Sequence, residues 1–310
     1  MSTNPADLLQ SKFINSWNLF WLITLPISSV MVFSMTGIEL SSGRAVSSMI
    51  ELSVRCAVPL LFVAFAASSV NVLFPGLFGR WILRNRKFIG LSFAAAMAWQ
   101  LLFILWMVTQ YNDYYVENVY ALSDAIEGVG GYLLLIAMVL TSFKFGRNRL
   151  SARQWKFLHR FGIYWLWIYA WIAYWWHLFY YNEPIVLDYV YYWAGFLAWG
   201  LRMAAWTKKR WPKVNGPSTT GGTSQLLYLL PGVAAVATGL VGVAFGSPWG
   251  RQVYEFAFGV PILKTIGIYT PYFPFVPLFP LFLIMSGACL ILKSRGQTPI
   301  PEPQSRRTTP

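Results

Sequence analysis

Long stretches of this chain carry almost no charge, and that limits its fold before any motif is considered. Several apolar runs exceed about 18 residues, the length a helix needs to cross a hydrocarbon core of roughly 30 Å. The runs are continuous rather than alternating, which excludes a transmembrane β-barrel. A soluble domain would carry roughly a quarter charged residues. Here 11% are charged, 56% hydrophobic and 18% aromatic over 310 residues. The chain reads as an all-α polytopic membrane protein. About eight spans are expected, at approximately 17–37, 48–73, 88–110, 129–143, 157–180, 185–206, 225–246 and 272–292.

The formal charge is +13, and its placement explains it. Segment 74–87 holds Arg80, Arg84, Arg86 and Lys87, and is expected to be a loop. Segment 144–160 holds Lys144, Arg147, Arg149, Arg153, Lys156 and Arg160. Segment 202–224 holds Arg202, Lys208, Lys209, Arg210 and Lys213, and the tail adds Lys293, Arg295, Arg306 and Arg307. The loops between carry acid: Asp113, Glu117, Asp124 and Glu127 in one, Glu183 and Asp188 in another. This alternation follows the positive-inside rule with both termini cytoplasmic. With Lys12, 20 of the 24 basic residues fall on that side. The charge is an insertion signal, so the expected partner is the lipid bilayer and not nucleic acid. A bacterial inner membrane is the expected location.

Residues 17–33 show no small-residue cleavage site, so a retained first helix is expected rather than a signal peptide. Cys56 and Cys289 lie in separate spans at different depths, and no disulfide is expected. Residues 1–16 form a cytoplasmic N-terminus, 17–206 a six-helix core, 207–224 a cytoplasmic linker, 225–293 a two-helix extension and 294–310 a disordered tail. The linker is basic, then rich in Gly, Ser and Thr. Span 7 places Ala235/Gly239 and Gly242/Gly246 four apart, which suits close helix packing or oligomerisation. Pro271, Pro274, Pro277 and Pro280 argue against one regular helix through all four. An extended segment over 269–279 is expected, with helix from about Pro280 to Lys293.

Two stretches carry a resemblance. RWILRNRKFIGLSFA (80–94) lies within 53–106, and WKFLHRFGIYWLW (155–167) lies within 153–177; GYLLLIAMVLTSF (131–143) stands between them. Together they resemble the ferric-reductase-like transmembrane domain family, which is similar to the membrane cores of ferric reductases, NADPH oxidases and the haem-binding subunit of methionine sulfoxide reductase. The similarity covers a little under half the chain. It implies a six-helix core binding haem b, with helix histidines soon after the GLSFA segment. Those positions align here with Met97 and Gln100. Methionine can ligate haem iron, whereas glutamine is a poor ligand. His159 matches the family's LHR motif, and His177 has no counterpart.

His159 and His177 are the two histidines of the chain. They stand 18 residues apart, five helical turns, so they share a face about 27 Å apart along the axis. A low-spin haem usually takes two axial ligands from the protein. His159 is either a ligand or propionate contact for a haem, or a polar anchor at a helix mouth. His177 is an outer ligand, part of an aromatic hopping path, or an anchor in an interfacial aromatic belt. Glu51 and Arg55, four apart, can pair on one face. Arg55 could hold a propionate, a quinone oxygen or an acidic partner, or close a structural ion pair. The RWILRNRK stretch suits anionic lipid or a docking reductase. No Rossmann or flavin domain, metal cluster or catalytic triad is legible.

Two functions follow. In the first, the chain is a divergent member of this family and a non-catalytic interaction or assembly subunit beside another membrane or cytoplasmic protein. In the second, it is a b-type haem cytochrome with His159, His177, Met97 and Arg55 at its cofactor. The first is favoured because Met97 and Gln100 break the paired-histidine pattern.

Overall fold

Hydropathy marks where a helix meets lipid, but helix period and stop signals decide where it begins and ends. The computed structural model describes residues 5–37, 40–120, 122–179, 183–211, 222–246, 259 and 277–295. Among these, every regular element is helical. In order they are α1 (Pro5–Gln10), a 3-10 turn (Lys12–Ile14), α2 (Ser16–Gly37), α3 (Gly43–Leu73), α4 (Leu77–Gln110), α5 (Asn112–Asn118), α6 (Leu122–Leu140), α7 (Lys144–Arg147), α8 (Ala152–Phe179), α9 (Val186–Arg210), α10 (Gly222–Ala244) and α11 (Phe279–Ser294).

Four of them are long and apolar enough to cross a membrane: α2, α3, α4 and residues Gln225–Ala244 of α10. Ala125–Leu140 and α11 are shorter apolar helices. The protein is therefore a helical integral membrane protein. Many apolar side chains face outward, including Phe33 (80% exposed), Leu133 (64%) and Val129 (60%). Such faces are costly in water and at ease in lipid.

The expected loop at 74–87 is not a loop. α4 starts at Leu77 and carries Arg80, Arg84, Arg86 and Lys87 in its first three turns. Charge lowers hydropathy without disturbing helix geometry, and Arg and Lys are good helix formers. The break lies earlier, at Pro75–Gly76, where Gly76 is extended and serves as the N-cap. α4 has 34 residues, about 51 Å at 1.5 Å per residue, so it overruns the hydrocarbon core. α6 also begins and ends earlier than the span expected at 129–143.

The chain divides into two compact units, Met1–Ala205 and Trp206–Pro310. In the first, α2, α3 and α4 enclose two apolar clusters. One joins Leu19, Ala64, Ala67, Ile82 and Ile89. The other joins Met31, Val46, Met49, Phe103 and Met107. Polar ties cross between α2 and α4: Thr24 Oγ1 donates to Ser92 Oγ (3.3 Å), and Trp99 Nε1 to Ser28 Oγ (3.1 Å). The N-terminal segment is strapped to α4 through Asn85, which is fully buried. Its Oδ1 accepts from Ser16 N (2.9 Å), and its Nδ2 donates to Asn15 Oδ1 (2.8 Å) and Trp81 O (3.1 Å).

α8 meets α6 at Gly162, where an added Cβ would collide with Met138 Sδ. A column of rings runs through the interior: Phe65, Trp167, Trp171 and Tyr192 stack with centroids 5.1, 5.7 and 5.3 Å apart. Trp167 Nε1 donates to Gly195 O (3.0 Å), tying α8 to α9.

In the second unit, α10 lies against α11 through glycines. A Cβ atom at Gly232, Gly239 or Gly287 would fall 2.9, 2.6 or 2.5 Å from the facing helix. Gly232 and Gly239, two turns apart, make the seam together with Gly287; of the small residues expected to pack here, Gly239 is one. α11 starts at Phe279 with Pro280 in its first turn, close to the expected start. Most of the linker (212–221), most of the 269–279 segment (269–276) and the tail beyond 295 lie outside the described residues.

Candidate functional site

The candidate residues fall into three sets of contacts in the first unit. At one end, Glu51 and Arg55 form an ion pair one turn apart on α3. Pro59 lies inside α3 and has no N–H, so the Arg55 carbonyl loses its helical partner. Tyr191 of α9 restores it: its hydroxyl donates to Arg55 O at 2.8 Å. The Tyr191 ring meets Tyr174 edge-on (5.1 Å), and Tyr174 lies 6.1 Å from the His177 ring. His177 Nδ1 stands 3.8 Å from Asp188 Oδ2. Asp188 is buried (3% exposed) and accepts from Ile185 N (3.0 Å), which starts α9. Arg55 and His177 thus belong to one cluster, and each is held by structural contacts.

At the other end His159 projects from α8. Its Nε2 lies 3.0 Å from Thr141 Oγ1, and its ring packs on Trp155 (4.4 Å). Thr141 Oγ1 also stands 2.7 Å from the Ala137 carbonyl oxygen. The imidazole Nε2 is thus engaged by this hydroxyl, as donor or acceptor according to the tautomer. Trp155 Nε1 in turn donates to Thr141 O (3.0 Å), and Arg147 lies over the Trp155 ring (5.3 Å).

A third set of contacts involves Met97 and Gln100, the positions that the sequence resemblance would align with histidines. The Tyr132 hydroxyl of α6 stands 2.6 Å from Gln100 Oε1 and 3.2 Å from Met97 O. Gln100 is thus engaged as the acceptor of a cross-helix hydrogen bond between α4 and α6.

Axial ligands of one iron must face each other across the ring at one depth. His159 and His177 stand 18 residues apart on α8, about 27 Å along its axis. Of the four candidate residues, the fold brings Arg55 and His177 into one neighbourhood and places His159 at the opposite end of α8 from His177. His159 and His177, at opposite ends of one helix, do not fit a haem held by both of them. Among the described residues, no group of three or more His, Cys, Asp or Glu side chains could hold a metal ion.

Two residues of interest were visible in the sequence only as charge. Arg86 Nε donates to Ala64 O (3.0 Å) and Arg202 Nε to Phe65 O (2.9 Å). The signal that could have marked Arg202 is its place inside an apolar helix, where a charge is costly and calls for a reason. No protein-family model, curated protein or solved structure matches this chain.

Proposed function

We propose that this protein is a non-catalytic interaction or assembly subunit of a membrane complex, built on a divergent ferric-reductase-like core of six spans with two more after it. It is oriented with its basic segments and both termini in the cytoplasm of a bacterial cell. The observation that carries this is the hydrogen bond from Tyr132 to Gln100. Where the related cores put a haem ligand, this chain has a helix-to-helix tie. The engagement of His159 Nε2 by Thr141 supports the same conclusion.

The second reading is a b-type cytochrome. The stacked column of Phe65, Trp167, Trp171 and Tyr192 favours it, because such rings could relay an electron between the two ends. It would need a ligand from a partner subunit.

One measurement separates the two. The detergent-purified protein, made with haem available, is examined by dithionite-reduced minus oxidised absorption and by pyridine haemochrome. The subunit reading expects no haem b band. A band equivalent to about one haem per chain would overturn it. If no band appears, the proteins that co-purify under mild detergent identify the complex.

A further inference from the structure

We propose that Arg86 and Arg202 form a binding site for the phosphate of an anionic phospholipid. The inference rests on the membrane placement above, and on neither of the two functional readings.

Both guanidiniums are anchored by the same turn of α3. Arg86 donates through Nε to the carbonyl of Ala64, and Arg202 through Nε to that of the next residue, Phe65. Arg202 is fixed further by two rings, with its Cζ 4.0 Å from the Phe65 centroid and 4.7 Å from that of Tyr164. A guanidinium has five N–H donors in a rigid fork. The one on Nε is used in each case, which leaves the two terminal nitrogens of each residue for a ligand. Neither arginine has a hydrogen bond from a terminal nitrogen among the described residues.

Nothing acidic among the described residues offsets this charge. The ion pairs there are Glu51 with Arg55 and Asp188 with His177, both at the opposite end. The sequence has no Asp or Glu in residues 52–112, 128–182 or 189–254. Asp7 of α1 is exposed and within ion-pair reach of neither arginine. Two half-buried cations on adjacent carbonyls repel each other, and an anion between them would relieve the repulsion.

The depth identifies the anion. Arg86 immediately precedes the apolar run that starts near residue 88, and Arg202 sits two turns before the basic end of α9. Both arginines thus lie toward the basic ends of their helices, where phosphodiester head groups are the abundant anions. Basic pockets between helices on the cytoplasmic side suit anionic head groups, and paired arginines suit bidentate phosphate contacts.

The test is thermal unfolding of the full chain in a neutral detergent, with short-chain phosphatidylglycerol, short-chain phosphatidylcholine or inorganic phosphate titrated in. The expected result is a saturable rise in midpoint with phosphatidylglycerol and little with phosphatidylcholine. The Arg86→Gln/Arg202→Gln double variant should need at least about tenfold more phosphatidylglycerol for the same rise. Arg80→Gln, which removes an exposed arginine from the same helix, should match the wild type. Equal rises with the two lipids overturn the site. An equal rise with inorganic phosphate at the same concentration overturns the lipid assignment. The wild-type comparison decides these points without any variant having to fold. A haem band would overturn the subunit reading and leave this result standing.

Discussion

Asn85 is a polar residue whose role is structural, and its partners explain why it is tolerated inside. A buried amide is expensive unless its donors and acceptor are used. Here one side chain satisfies Ser16 N, Asn15 Oδ1 and Trp81 O, and so fastens the start of α2 onto α4. Ser16 itself has φ 60°, a left-handed conformation that this strap holds in place. Replacing Asn85 with Ala should destabilise the protein by about 1–3 kcal/mol, because it leaves these groups unpaired. Chemical denaturation monitored by tryptophan fluorescence would measure it. A change below about 0.3 kcal/mol would mean that water replaces the amide. His159 is held in the same way, with its Nε2 3.0 Å from Thr141 Oγ1.

At the scale of the element, α3 carries a defect and its repair. Pro59 removes the donor that the Arg55 carbonyl would meet in a regular helix. In lipid an unpaired carbonyl must find another partner, and Tyr191 supplies it from α9. Tyr191→Phe should therefore lower stability by roughly 0.6–1.7 kcal/mol, the range of hydrogen bonds between membrane helices. In a Pro59→Ala background the same change should matter less, because the alanine backbone would supply the missing N–H. Equal losses in both backgrounds would show that the hydroxyl is not serving that carbonyl. α4 teaches a separate lesson about elements. Its first turns are basic, so a hydropathy window ends where the helix does not.

At the scale of the molecule, helix packing gives the candidate residues different partners. Tyr132 ties α4 to α6 at the level of Met97 and Gln100. His159 sits near Arg86 and Arg147 at one end, and His177 beside Asp188 at the other. A protein whose interior is closed by such ties should not depend on haem to fold. Expression in cells starved of haem should give the same yield and the same thermal midpoint as expression with haem supplied. A midpoint lower by more than about 4 °C without haem would indicate that a ligand contributes to the native state.

The membrane class, the apolar helices and the Glu51–Arg55 pair were legible in the sequence, because each depends on residues close together along the chain. Hydropathy is a sum over neighbours, and an i, i+4 pair is fixed by helix geometry. The start of α4 was misplaced because charge and helicity are separate properties. The contacts that decide chemistry join residues distant in sequence: Tyr132 to Gln100, Thr141 to His159, Ala64 and Phe65 to the two arginines. The sequence by itself determined that this protein is a bundle of helices made for lipid. That Thr141 engages His159, that Tyr132 ties α4 to α6, and which arginines share a turn of α3 were decided only by the tertiary structure. Those facts depend on how one helix rotates and slides against another, and no local pattern records that.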